Sequence, residues 1–130
     1  MFPRLALLLA CFAAACTTIG GDEAVTGLPY RCSDVVAVGR VATLSGESLA
    51  EPAPFPNWQT RWQLQVTIKR VVRGSEPRAV VLAAAVSHGQ MRGDRDFLVV
   101  LNPAGRGGYV LQTAALWDVR SPPRLAEPCS

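Results

Sequence analysis

The sequence predicts an all-β domain, either a small five-stranded Greek-key barrel or, as the alternative, a compact β-sandwich. Five short segments rich in aliphatic and β-branched residues recur along the chain, separated by turns that contain Gly or Pro. No long amphipathic helical pattern interrupts them. Roughly 100 residues follow the N-terminal region, which is enough for one small core and therefore for a single domain.

The first strand is predicted at residues 34–44. This segment is rich in Val and too short for a helix, and Gly39 interrupts it as a bulge or a barrel bend would. Residues 45–57 carry three prolines at alternate positions. Because proline cannot donate a ladder hydrogen bond, this stretch is predicted to form a long loop.

The second strand carries the clearest pattern in the chain, a strict alternation of apolar and polar residues. Such alternation is typical of a strand with one buried and one solvated face. The pattern changes phase at residues 70–72, which predicts a bulge or a barrel corner. The predicted inward side chains are Trp62, Leu64, Val66 and Ile68, and the predicted outward ones are Gln63, Gln65 and Thr67.

Three further strands complete the prediction. Residues 79–86 form a continuous apolar run that suits a central strand, although its three alanines would also suit a short helix. Residues 97–101 predict a buried strand, and residues 109–112 pair back on it as a hairpin. From residue 118 onward the chain holds several prolines and is expected to lie extended on the surface.

Three of these segments together resemble the netrin/metalloproteinase-inhibitor-like OB domains, which include bacterial envelope proteins. They are residues 33–41, 66–75 and 92–101. As in those domains, the first segment is a strand, the second is a strand followed by Gly, and the third has a Gly followed by an aromatic residue. The resemblance implies an OB-like barrel. The N-terminal Cys-x-Cys whose free amine binds the metal of a protease in the inhibitors is missing, because Cys32 stands alone and well inside the chain. Inhibitory activity is therefore not implied.

The N-terminus has the pattern of a secretory signal at residues 1–15. Arg4 precedes an uncharged apolar run that ends in Ala13-Ala14-Ala15. A membrane-spanning helix needs roughly 20 apolar residues, and polarity already begins at Thr17. The sequence thus predicts an exported protein.

Residues 12–16, Phe-Ala-Ala-Ala-Cys, resemble the lipobox of bacterial lipoproteins. The resemblance implies lipidation (including an acyl group such as palmitate) at Cys16. The residues that follow are small, polar and rich in Gly, which predicts a flexible tether over residues 16–30 before the barrel domain of residues 31–130. The protein would then be anchored in the cell envelope, with the outer membrane favoured if there is one. Ordinary cleavage, giving a soluble secreted or periplasmic protein, is the alternative. Cys11 also lies in a box-like context, but too few apolar residues precede it.

Cys32 and Cys129 remain after removal of the signal and assignment of Cys16. An even pair in an exported chain predicts a Cys32–Cys129 disulfide, with two unpaired cysteines as the alternative. The bond would close nearly the whole domain and would stabilise a small core by about 4–5 kcal/mol on chain-entropy grounds.

The charge balance argues against a nucleic-acid partner. Only Arg4 lies in the signal, so twelve basic and ten acidic side chains remain, a net charge of about +2. The arginines appear scattered along the sequence, and the outward residues of the second strand offer no aromatic platform for bases.

Catalytic and metal-binding patterns are absent from the sequence. His88 is the single histidine, without a Gly-x-Ser-x-Gly elbow, and no Cys-x-x-Cys or His-x-x-x-His occurs. We therefore expect no cofactor and a non-enzymatic domain that binds or scaffolds an envelope protein or polymer. A secreted hydrolase or a protease-inhibitor-like protein is the alternative. Trp58 and Arg61, beside the proline-rich loop, are the candidate contact residues.

Overall fold

The computed structural model describes residues 27–49 and 59–130. The predicted signal peptide, Cys16 and Trp58 lie outside these residues. No helix in the described ranges is long and apolar enough to cross a membrane. The described chain forms five strands, β1 Val35–Ser48, β2 Thr60–Arg73, β3 Val80–Ser87, β4 Asp96–Ala104 and β5 Gly108–Leu116.

The five strands close into a barrel in the order β1-β2-β3-β5-β4, with β4 returning to β1. All neighbouring pairs are antiparallel except β3 and β5, which run parallel over a short contact. The prediction of an all-β, five-stranded OB-like barrel is confirmed, and the alternative sandwich does not form.

Strand β1 closes the barrel because it pairs with two partners. Residues 35–40 pair with β4, and the pairing with β2 extends from Val36 to Ser48. The β1–β2 ladder shifts register at three points, one of which skips Val72 on β2. This irregularity falls where the phase break at residues 70–72 predicts a bulge, and such bulges bend a strand.

The barrel carries two apolar clusters, one on each side of β1 and β4. Side chains such as Val41, Leu64 and Val99 fill the interior. On the outside, Val36 and Leu98 are also fully buried, because the residues before β1 and the C-terminal segment pack over them. The continuous apolar runs of β1 and β4 follow from this arrangement, since both faces of these strands are covered.

Strand β2 follows most of the predicted alternation, with Leu64 and Val66 buried and Gln63 and Thr67 exposed. Trp62 and Ile68 are partly buried against the interior cluster, and Gln65, predicted to face outward, is half-buried as well. Strand β3 is less buried than its continuous apolar sequence predicts. It is central, with β2 on one side and β5 on the other, but its outward Val80, Leu82 and Val86 remain about half exposed. No described segment packs over this face as the C-terminal segment packs over β4.

Several predicted boundaries differ from the structure; β5, for example, predicted at residues 109–112, runs from Gly108 to Leu116. The loop prediction for 45–57 is wrong for residues 45–48, which continue β1, because their backbone keeps pairing with β2 up to Ser48 opposite Thr60. At the N-terminal boundary of the domain, residues 27–30 pack on the barrel, with Tyr30 buried and Leu28 bridged to Leu125. The packed chain therefore includes residues before 31.

The predicted disulfide is confirmed. Cys32 and Cys129 are bonded, with their Cα atoms 5.0 Å apart and 97 positions apart in sequence. The bond joins the residues before β1 to the end of the chain. Backbone hydrogen bonds run alongside it, from Cys32 N to Ser130 O and from Ser130 N to Tyr30 O.

Candidate functional site

A groove lies between the outer face of the barrel and the C-terminal segment 117–130, which we call the tail. The groove, here named the tail groove, has a volume of about 380 Å³. It combines basic side chains with an apolar surface. Its lining residues are Arg70, Val72, Arg73, Leu98, Trp117, Pro122, Pro123, Arg124, Leu125 and Glu127.

The tail forms one wall of the groove and is held at several points. Leu28 N donates to Arg124 O, and Ala126 N donates to Leu28 O, both at 2.8 Å. At the start of the tail, Trp117 N donates to Asp96 O at 2.9 Å. The disulfide secures its far end. This wall is therefore built into the fold.

Three arginines line the groove, and their side chains differ in the contacts they make. Arg70 lies over the ring of Trp117, with its Cζ 5.5 Å from the ring centroid, which is within range of a cation–π interaction. Arg73 makes two hydrogen bonds to Glu127 Oε1, at 2.6 and 3.0 Å. Arg124 is exposed, and within the described ranges its side chain makes no hydrogen bond or ion pair.

Glu127 is the single acidic residue in the lining, and it is already engaged. Tyr30 donates to its Oε2 at 2.5 Å, and this bond, followed by those from Arg73, lowers the pKa of Glu127 below its usual value. The carboxylate is therefore ionised at neutral pH. Three guanidinium groups and one carboxylate leave the groove with a formal charge of +2.

The basic surface continues past Trp117 to a second cluster of charges. Asp96 accepts hydrogen bonds from Arg40 at 2.9 Å and from Lys69 at 2.8 Å. These bonds, that from Lys69 first, lower the pKa of Asp96. Two cations on one carboxylate leave this cluster with an excess positive charge next to the groove.

The surface between the basic side chains is apolar. Val72, Leu98, Leu125 and Trp117 belong to the outer apolar cluster of the barrel and extend it to the groove, where Pro122 and Pro123 adjoin them. A ligand in the groove thus meets cations and apolar carbon side by side.

The structure does not bring the predicted contact residues to this site. Arg61 is exposed near the start of β2, opposite Val86 on β3 and Glu47 on β1. Arg70 and Arg73 lie at the other end of the same strand. Trp58 lies outside the described residues.

The sequence prediction missed the tail groove because its arginines are far apart along the chain. Arg70 and Arg73 come from β2, whereas Arg124 comes from the tail, so the scattered arginines converge only after folding. A weak signal is present in the tail, where Trp117 is followed by two arginines and three prolines.

Other parts of the described chain are weaker candidates for a functional site. A hollow of about 260 Å³ opens at the barrel mouth near Trp62, Met91 and Phe97, but it is an extension of the interior apolar cluster. His88 is exposed on the loop between β3 and β4. Among residues 27–49 and 59–130, no three His, Cys, Asp or Glu side chains are grouped as a metal site would require.

Comparison of the chain with protein-family models, with curated proteins and with solved structures found no match.

Proposed function

We propose that the protein is a lipid-anchored, non-enzymatic binding domain of the cell envelope that holds a negatively charged partner in the tail groove. Acylation at Cys16 would anchor it, and the residues that follow would tether the barrel to the membrane. The barrel would then present its tail groove to envelope proteins or polymers on the outer side of the membrane that carries it.

The observation that carries this proposal is the convergence of Arg70, Arg73 and Arg124 on one pre-formed groove. Gathering like charges is unfavourable unless something compensates for it, and only Arg73 has a full partner in Glu127. Arg124 in particular lines the groove and is held there by its backbone contact with Leu28. Its exposed side chain makes no hydrogen bond or ion pair within the described ranges. Guanidinium groups bind carboxylates and phosphates strongly through paired hydrogen bonds.

The chemistry of the groove supports binding rather than catalysis. A general acid or base needs a group that exchanges a proton near neutral pH. Arginine does not, and the one carboxylate in the lining is engaged by Tyr30 and Arg73 and has a lowered pKa. Such a site can hold an anion in place.

Co-sedimentation with envelope material tests the proposal. The full chain carrying Cys16→Ala, which cannot be acylated there, is mixed with envelopes from cells that lack the protein. We expect it to pellet with the envelopes. Adding Arg124→Ala should weaken the affinity for the envelopes at least about tenfold, which is the effect expected from the loss of a hydrogen bond to a charged group.

Arg120→Ala is the matched control, because Arg120 is an exposed tail residue that does not line the groove. It removes the same charge and should leave binding within about twofold. Equal sedimentation of the Arg124 and Arg120 variants would contradict the proposal, as would a failure of the parent protein to bind.

A further inference from the structure

The composition of the tail groove indicates which kind of anion it accepts. Its charged groups are not set in a polar surface, as they would be in a site for a bare phosphate or a highly hydrated polymer. They adjoin the half-buried apolar side chains of Val72 and Leu125 and the ring of Trp117. Water is displaced from this surface favourably only when the ligand brings apolar carbon of its own.

The positions of the cations also favour a ligand that is both anionic and apolar. The guanidinium of Arg70 lies over the ring of Trp117. Arg124 lines the groove from the tail, and its exposed side chain has no hydrogen-bond or ion-pair partner among the described residues. Each lies beside apolar surface, so a ligand that pairs with either cation also covers that surface. An acidic side chain next to an apolar one satisfies both requirements at once.

The backbone of the tail limits how such a ligand is held. Pro122 and Pro123 lack N–H groups and cannot serve as the edge of a sheet for an added strand. Residues 124–126 already use backbone groups in pairing with Leu28. Recognition must therefore depend mainly on side chains, that is, on the charge and apolar contacts just described.

We infer that the tail groove binds an extended acidic peptide segment of a partner protein, in which carboxylate side chains lie beside apolar ones. This inference rests on the proposed function and names the ligand class of the same site. The carboxylates pair with Arg70 and Arg124, and the apolar side chains cover the half-buried Val72, Trp117 and Leu125.

Binding of four fluorescent probes to the purified full chain carrying Cys16→Ala tests the inference by anisotropy. The probes are an eight-residue peptide of alternating glutamate and leucine, one of glutamate and serine, one of lysine and leucine, and inorganic polyphosphate. The glutamate–leucine peptide should bind at least about tenfold more tightly than each of the others, since burying one leucine is worth about that factor. Arg124→Ala should weaken it about tenfold, and Arg120→Ala by less than about twofold.

The outcomes separate the inference from the proposal on which it rests. If polyphosphate or the glutamate–serine peptide binds as tightly as the glutamate–leucine peptide, and does so through Arg124, the groove is a general anion site. The inference is then wrong and the proposed function stands. If no anionic probe binds, both fail. Unchanged urea midpoints in the two Arg variants show that loss of binding is not loss of folding.

Discussion

Gly39 shows how a single residue sets the path of the barrel. It lies in β1 beside a register shift, and the backbone carbonyl of Thr67 on β2 occupies the place that a Cβ atom at this position would take. The strands can approach this closely only because glycine has no side chain. The bend of β1, which allows it to pair with both β4 and β2, depends on this approach.

Replacing Gly39 with alanine should therefore destabilise the barrel by about 1–3 kcal/mol, the usual cost of forcing atoms into a filled space. Urea unfolding followed by circular dichroism measures it. Gly89→Ala is the control, because a Cβ there meets no atom within 4 Å. It should change the free energy of unfolding by no more than about 0.5 kcal/mol. Equal effects of the two substitutions would show that the close approach of β1 and β2 is not the reason that glycine is needed at position 39.

At the scale of single residues, the sequence predicts those properties that depend on neighbours along the chain. The burial of Leu64 and Val66 follows from alternation within one strand, which is a local property. The contact of Arg70 with Trp117 joins β2 to the tail and depends on the closure of the whole barrel. No local pattern distinguishes Arg70 from the other arginines of the sequence or Trp117 from the other tryptophans.

At the scale of elements, Glu76 joins two turns at one end of the barrel. It lies after β2 with its side chain only 4% exposed, and it accepts hydrogen bonds from Arg78 and from the Tyr109 hydroxyl of β5. Arg78 in turn donates to Gly107 O in the turn between β4 and β5. The bonds from the Arg78 side chain, its backbone N–H and Tyr109 lower the pKa of Glu76 to about 2.

This shift predicts a pH dependence of stability. The folded state holds the pKa of Glu76 near 2, against a usual value of 4.5. The unfolded chain therefore binds the proton more readily, and the stabilisation is complete above about pH 4.5 and is lost as the pH falls towards 2. Urea midpoints measured across this range should fall less steeply for Glu76→Gln than for the wild type. Glu47→Gln, at an exposed position on β1, should follow the wild-type curve; identical curves for all three proteins would refute this role of Glu76.

The tail has no helix or strand of its own, and the disulfide holds its end against the residues before β1. The Cys32–Cys129 bond spans 97 positions, so it restricts nearly the whole unfolded domain. The double variant Cys32→Ser/Cys129→Ser should lose about 2–5 kcal/mol of unfolding free energy. A reducing agent should lower the stability of the wild type and leave that of the double variant unchanged. Equal stability of the oxidised wild type and the variant would contradict this prediction.

For the molecule as a whole, the apolar patterns predict the fold but not which surfaces are covered. The runs in β1, β3 and β4 look alike in sequence, yet the tail covers Val36 and Leu98 and leaves Leu82 on β3 exposed. The difference depends on the direction in which the chain leaves β5. The tail groove exists for the same reason, because it forms where the tail crosses the outer face of β2 and β4.

The central claim is that the tail groove, and not the Arg61 end of β2, holds an anionic partner. The most direct test is to titrate the protein with the glutamate–leucine peptide and to follow the indole N–H signals of its tryptophans by NMR. Trp117 lines the groove, whereas the indole of Trp62 lies near the barrel mouth and is bonded to Ser87. We predict that the Trp117 signal shifts with saturable dependence on peptide, and that the Trp62 signal stays in place. A shift of the Trp62 signal with the Trp117 signal unmoved would contradict this prediction and would place binding at the barrel mouth near Trp62.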